Sequence, residues 1–248
     1  MARLLIALFF CFWVQPNNLF GGTIDSNIPD SNYVEYGKKF HYILKICGEY
    51  QDGKKYCASA VAISPRWVLT AAHVVKNSKS SSVKIDEKII KLEKIICHED
   101  FEENKFGHYD LAICKSEKEI GLDFYPDIYD HNDEVGQICS ISGWGLTGNF
   151  HTGVAKDDGK RRAGSNKIEY VDRHLLVCTP SISNKTSLEF LICSGDSGGG
   201  LFLGNKLAGI NSCVMAVDKN PNSNYTDESG HTRLSLFKNW IKEKIKNE

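Results

Sequence analysis

The chain has almost no net charge to act with: 30 Lys and Arg stand against 31 Asp and Glu, a formal charge of -1. That balance excludes the strong field through which proteins bind nucleic acid or anionic membrane surfaces, so neither partner is expected. No basic stripe with interleaved aromatics occurs. The densest basic cluster, Lys160-Arg161-Arg162, reads as part of a solvated loop. After the N-terminal segment no apolar run approaches the length of a bilayer span, and no stable membrane insertion is expected. No Cys-x-x-Cys pair exists, which removes the usual zinc spacing, and no metal is expected. Internal repeats and low-complexity linkers are also lacking.

What is present begins with a targeting segment over residues 1–18, with a boundary as late as 22. Arg3 supplies its positive end and Leu4 to Val14 its apolar core, too short to span a bilayer. Asn17 and Asn18 are not the small residues that precede a signal-peptide cut, which leaves Gly21 or Gly22 as alternatives. The expectation is a secreted or otherwise extracytoplasmic protein. Of nine cysteines, Cys11 lies in this segment. The even remainder points to disulfides in an oxidising compartment. Cys47 and Cys57 flank a turn at Asp52-Gly53 and suit a bridged hairpin, while Cys97 and Cys114 lie on successive strands.

Much of the chain reads as short strands: Phe40 to Ile46, Tyr56 to Ile63, Trp67 to Ala72, Val83 to Ile96, Asp110 to Cys114, Val135 to Trp144, Ile168 to Cys178 and Leu207 to Val214. Ser235 to Lys246 instead spaces Leu236, Phe237, Trp240, Ile241 and Ile245 along one helix face, with Ser235 as a cap. Gly143-Trp144-Gly145-Leu146-Thr147-Gly148 matches a dinucleotide-binding pattern on paper. No helix follows to receive a phosphate, and no cofactor is expected. Asn184 and Asn224 begin glycosylation sequons.

The chemistry concentrates in Cys193-Ser194-Gly195-Asp196-Ser197-Gly198-Gly199-Gly200. Gly195 and Gly198 remove the Cβ atoms that would keep a substrate backbone from Ser197. The backbone N–H groups of Gly195 and Ser197 can then face one pocket and stabilise a developing oxyanion. A serine hydroxyl needs a base to take its proton, and the base needs an acid to orient it. His73 ends the apolar run Trp67-Val68-Leu69-Thr70-Ala71-Ala72, and Asp110 opens Asp110-Leu111-Ala112-Ile113.

With these motifs in the order His, Asp, Ser, the chain resembles the chymotrypsin/trypsin family of serine endopeptidases from about Phe20 to Lys246. The resemblance implies an all-β fold of two packed six-stranded Greek-key barrels with a C-terminal α-helix. Residues 19–130 would form the barrel carrying His73 and Asp110, and residues 131–248 the barrel carrying Ser197 and the helix. It implies peptide-bond hydrolysis through an acyl-enzyme. Ser197 would be nucleophile, His73 base, Asp110 its orienting acid, and Gly195 and Ser197 the oxyanion donors. Ser212 matches the family serine that helps hold the aspartate. Protein or peptide substrates and a monomer are implied.

Departures from the pattern carry further expectations. Val74 stands where many members have cysteine, so Cys57 needs another partner. No Arg or Lys precedes Leu19-Phe20-Gly21-Gly22, the stretch resembling the family's activated amino terminus, which folds in to pair with the aspartate here numbered Asp196. At the specificity pocket Leu191, Ser212 and Val214 imply a small or medium apolar residue before the cut. His231, at the back of the pocket, offers a rival preference for an acidic one. A catalytically silent, protease-like interaction module is the alternative to an enzyme, favoured only by the missing activation arginine.

Overall fold

The computed structural model describes residues 22–248 except Phe106, Asp157 and Val217. The targeting segment and Leu19 to Gly21 lie outside the described residues. The chain opens with β1 (Thr23–Ile24) and a helix absent from the sequence reading, α1 (Asp30–Gly37). The first barrel follows: β2 (Ile43–Tyr50), β3 (Lys55–Ser64), β4 (Trp67–Thr70), the short α2 (Ala72–Val75), β5 (Ser78–Ile85), β6 (Lys88–Cys97) and β7 (Ala112–Ser116). It closes in the order β2-β3-β4-β7-β6-β5.

The turns explain where these strands break. Gly53 takes φ +84° at the β2–β3 hairpin, a conformation that costs glycine little, and Asp86 takes φ +50° between β5 and β6. Residues 58–62 of β3 and all of β4 are buried, because these strands pack between the barrel interior and the second barrel.

The second half contains β8 (Ile138–Gly143), β9 (Thr147–Asn149), β10 (Gly153–Lys156), β11 (Arg162–Asp172), β12 (Leu175–Cys178), β13 (Phe190–Leu191), β14 (Gly200–Leu203), β15 (Lys206–Ala216) and β16 (Asp227–Arg233). Six of these close a second barrel in the order β11-β12-β16-β15-β14-β8. A smaller sheet, β10-β9-β1-β13, lies alongside, with β1 parallel to β9 and antiparallel to β13. The N-terminal stretch therefore serves the second barrel: Ile24 and Tyr33 join its apolar cluster with Ile141, Ile168 and Phe190.

Phe40, Tyr42 and Phe202 join the barrels, with Phe202 ring centroids 5.2 Å from Phe40 and 5.4 Å from Tyr42. One apolar cluster thus runs from the first barrel through Phe202, Leu207 and Ile210 to Phe237 and Ile241.

Three sequence expectations are corrected. Lys160-Arg161-Arg162 is not a solvated loop: the Arg162 side chain is 0% exposed, bonding Asp30 at 2.6 and 2.7 Å and Asp158 at 2.8 and 2.6 Å. Four donors of one guanidinium are thereby met by two carboxylates, which is what makes its burial tolerable. The C-terminal helix, α3 (Lys238–Lys246), starts later than expected, after a 3-10 turn at Leu234–Leu236. Ser235 does not cap it, because its hydroxyl donates to Glu134 Oε1 instead. Cys47 and Cys57 do form a disulfide, which supplies the partner Cys57 needed. Cys97, Cys114, Cys139, Cys178, Cys193 and Cys213 are free thiols. Cys97 and Cys114 miss each other by register: Cys97 faces Ala112 and Cys114 faces Ile95.

Candidate active site

His73 lies on α2, directly after β4. Ala72, Val74 and Val75 are buried beneath it, which turns the imidazole toward the junction. Asp110 is 3% exposed, one residue after Tyr109, whose φ of +49° marks the sharp turn that aims the carboxylate. Asp110 Oδ1 accepts the His73 backbone N–H at 3.0 Å, and Oδ2 lies 2.7 Å from His73 Nδ1. Ser212 on β15 donates its hydroxyl to the same Oδ2 at 2.6 Å, and Thr232 on β16 donates to the Asp110 carbonyl at 2.9 Å. The first barrel supplies the acid and the second barrel helps hold it.

Burial alone would raise the Asp110 pKa, but the His73 charge and these donors leave it below the usual carboxylate value. The carboxylate is therefore an acceptor, so Nδ1 carries the proton and Nε2 is left basic. Burial pushes His73 down. The charge and hydrogen bond of Asp110 outweigh it, and the net shift is upward from 6.5.

Ser197 sits on the loop between β13 and β14. Its carbonyl accepts the Ser59 N–H at 2.9 Å. A Cβ on Gly198 would lie 2.1 Å from Ser59 O and from Thr70 Oγ1, and φ there is +82°. Only glycine lets this loop press so closely against the segment that leads into His73. Ser197 and His73 are thus on neighbouring stretches. Among the described residues the imidazole bonds Asp110 and makes no hydrogen bond to the Ser197 hydroxyl.

Peptide orientation follows from the carbonyls. Ser194 C=O accepts the Leu146 N–H at 2.7 Å, and Asp196 C=O accepts Gly199 N–H at 2.9 Å and Asn211 Nδ2 at 3.1 Å. In trans peptides the N–H points opposite the C=O. The Gly195 and Ser197 N–H groups therefore face away from these partners, and among the described residues neither donates a hydrogen bond.

Asp196 is 0% exposed. Its carboxylate accepts the N–H of Gly145 at 2.8 Å and of Cys193 at 3.0 Å, and the Arg162 charge and the nearby Gly22 N–H also favour its ionised form. Burial outweighs these donors and pushes its pKa up to about 7. The Gly143-Trp144-Gly145 motif gains its physical reason here. A Cβ on Gly143 would lie 2.2 Å from Asp196 Oδ1, and one on Gly145 2.2 Å from Asp196 N.

The expected pocket residues lie on three elements. Leu191 is buried on β13 opposite Thr23, and Val214 on β15 faces Ser229 of β16. His231 is 0% exposed, with Nδ1 2.9 Å from Asn211 Oδ1 and Nε2 2.9 Å from the Ser229 hydroxyl. Burial lowers its pKa to about 3, so it is neutral and both ring nitrogens are already engaged.

A family model described as Trypsin matches residues 38–241. The chain belongs to the trypsin family. Serine protease SSP1 of Scolopendra subspinipes is 24% identical over 237 residues, which cover 85% of this chain and 81% of that protein. Ovochymase of Halocynthia roretzi is 26% identical over 168 residues, 58% of this chain but 10% of that longer protein. Among solved structures, HL collagenase superposes with a TM-score of 0.67 at 21% identity, covering 83% of this chain and 94% of that one. Neuropsin, a serine protease of mouse brain, superposes with a TM-score of 0.66 at 20% identity, covering 83% and 95%. These likenesses show the chymotrypsin-like fold, and trypsin-family membership makes this chain a serine-protease-type hydrolase with protein substrates. No described helix is long and apolar enough to cross a membrane.

Ser59, Thr70, Asn211 and Thr232 are the site residues that the sequence reading did not single out. Asn211 was within reach, because it directly precedes Ser212 in Gly209-Ile210-Asn211-Ser212.

Proposed function

We infer that the chain is a secreted serine endopeptidase acting through Ser197, His73 and Asp110. The observation that carries this reading is the run of hydrogen bonds from Ser212 through Asp110 to His73, beside the N–H groups of Gly195 and Ser197, which donate no hydrogen bond among the described residues. Ser197 attacks the scissile carbonyl as His73 Nε2 takes its proton, and His73 later protonates the leaving amine. Asp110 holds the tautomer and stabilises the imidazolium. The Gly195 and Ser197 N–H groups receive the oxyanion.

Activation follows from Gly22. Its N–H reaches Asp196, and Thr23 pairs with Leu191, so the register favours Gly22 over Leu19 as the terminal residue. A cut between Gly21 and Gly22 would convert that N–H into an ammonium beside a buried carboxylate that makes no direct ion pair among the described residues and feels only the Arg162 charge. Removal of the targeting segment would then also activate the enzyme, with no basic residue required at the cut.

Before the scissile bond a small or medium apolar residue fits best. Leu191 offers no charge to a substrate Arg or Lys, and burying such a cation unpaired costs several kcal/mol on the order of. His231 is neutral and engaged, which argues against a preference for acidic residues. A peptide library varied at this position, digested by the wild type and by Ser197→Ala, tests the reading. Cleavage after Ala, Val or Leu by the wild type alone is expected. Equal cleavage by Ser197→Ala, or strong preference for Arg or Lys, contradicts it.

A further inference from the structure

We propose that Ser59 is a positioning residue for the oxyanion-stabilising loop, setting the direction of the Gly195 N–H through a hydroxyl that bridges two loops of the second barrel. The proposal rests on the protease reading above. Ser59 lies on β3 of the first barrel and is 0% exposed. Its hydroxyl donates to Gly195 O at 2.9 Å and accepts the Trp144 backbone N–H at 2.9 Å. Its own N–H donates to Ser197 O at 2.9 Å, and its carbonyl accepts the Thr70 hydroxyl at 2.8 Å. Every polar group of this residue is engaged, and three of its four bonds reach the second barrel.

The hydroxyl has one possible direction. Gly195 C=O can only accept and Trp144 N–H can only donate, so the single proton lies on the Gly195 side. Gly195 needs such outside control, because glycine does not fix its own φ and ψ and here takes φ +87°. Two carbonyl bonds set its conformation. Ser194 C=O is held by the Leu146 N–H at 2.7 Å on one side, and Gly195 C=O is held by Ser59 on the other. Release of the second bond leaves the Gly195–Asp196 peptide held only by the Asp196 N–H on the Cys193 carbonyl at 3.0 Å, so the φ and ψ of Gly195, and with them the aim of its N–H, are less restrained. Trp144 transmits the same restraint, since Gly145 next to it donates to Asp196.

A residue acting in this way affects the transition state, where the oxyanion forms, more than the bound substrate. The Ser59→Ala variant is expected to lose about 10–100-fold in kcat with KM changed less than about threefold, below the roughly 10²–10³ attached to deleting an oxyanion donor outright. Affinity for a peptide boronic acid, whose tetrahedral adduct places an oxygen in the oxyanion position, should fall by the same factor. Affinity for the corresponding product peptide, and the midpoint of the His73 pH profile, should not move. Ser59→Cys keeps the volume with a weaker donor and should fall between the two. Val83→Ala, remote in the first barrel, serves as a control for stability loss alone.

Amide hydrogen exchange over residues 194–197 gives a readout independent of turnover, and it should be faster in Ser59→Ala and Ser59→Cys than in wild type or Val83→Ala. Unchanged exchange and unchanged kcat overturn the positioning role, as does a kcat loss matched by Val83→Ala. If the wild type shows no turnover and no boronate binding, the protease reading fails separately, and the exchange comparison still decides whether Ser59 holds the loop.

Discussion

The backbone N–H of Gly22 faces the buried carboxylate of Asp196 and helps to lower its pKa. Burial raises the Asp196 pKa to about 7, and the amides of Cys193, Gly145 and Gly22 together with the Arg162 charge offset it only in part. A folded-state pKa raised above the ordinary ~3.9 contributes stability that is present below the unfolded value and lost as pH rises through the folded one. With residue 21 still attached, the Asp196→Asn variant should therefore gain stability relative to wild type between about pH 4 and pH 7, by a few kcal/mol in order of magnitude. After a cut before Gly22 the new ammonium should reverse that trend. Denaturant unfolding of both forms at several pH values measures it, and parallel curves for the two forms would count against the proposed terminus.

His73 gives a second pH dependence with a definite sign. Its pKa is raised, because Asp110 outweighs burial, so the protonated ring is favoured over a wider range than in free imidazole. The pairing stabilises the fold fully below about pH 6.5, and this contribution is lost as pH rises through the raised value. Catalysis requires the neutral ring, so kcat/KM should rise with pH around a midpoint above ~6.5. In Asp110→Asn the midpoint should drop and the rate should fall by roughly 10⁴-fold. A pH–rate profile that is flat between pH ~5 and ~8 is incompatible with a histidine base.

The Arg162 cluster bears on stability rather than chemistry. Arg162→Ala would leave Asp158 without its main partner and remove the ion pair that ties Asp30 of α1 to β11. Breaking a buried pair on one side costs about 3–5 kcal/mol. Asp30 is 43% exposed, and in Asp30→Asn the guanidinium keeps Asp158, so the loss should be about 1 kcal/mol or less. Thermal unfolding of the two variants checks the ordering, and equal losses would contradict it.

The thiol content separates the sequence expectation from the structure. Alkylation of the denatured protein without reductant should label Cys97, Cys114, Cys139, Cys178, Cys193 and Cys213 and spare Cys47 and Cys57. Mass spectrometry of the alkylated peptides reads this directly. Protection of any of the six would show a further bridge.

The parts that were legible in the sequence are those where chemistry leaves little choice. Gly198 must be glycine to pass Ser59 and Thr70, and His73 and Asp110 sit at the ends of apolar strands that any such barrel would bury. The two barrels followed from the resemblance those motifs carry. Arg162 was misread because local sequence shows three basic residues, while Asp30, which makes its burial possible, lies 132 residues away. The Ser235 cap failed for a similar reason: the buried Glu134, bound by Arg233 at 2.8 and 2.7 Å, takes its hydroxyl. Ser59 left no signal, since a small polar residue in a buried strand shows its role only when Gly195 and Trp144 are brought to it.

The central claim is that Ser197 is a nucleophile activated by His73. Its most direct test is labelling of the protein beginning at Gly22 by a peptide diphenyl phosphonate, with the adduct located by mass spectrometry of the digested chain. The account expects one adduct, on Ser197, abolished in Ser197→Ala and strongly slowed in His73→Ala. Absence of an adduct on Ser197 in the folded chain carrying that free terminus, or labelling unaffected by loss of His73, would contradict it.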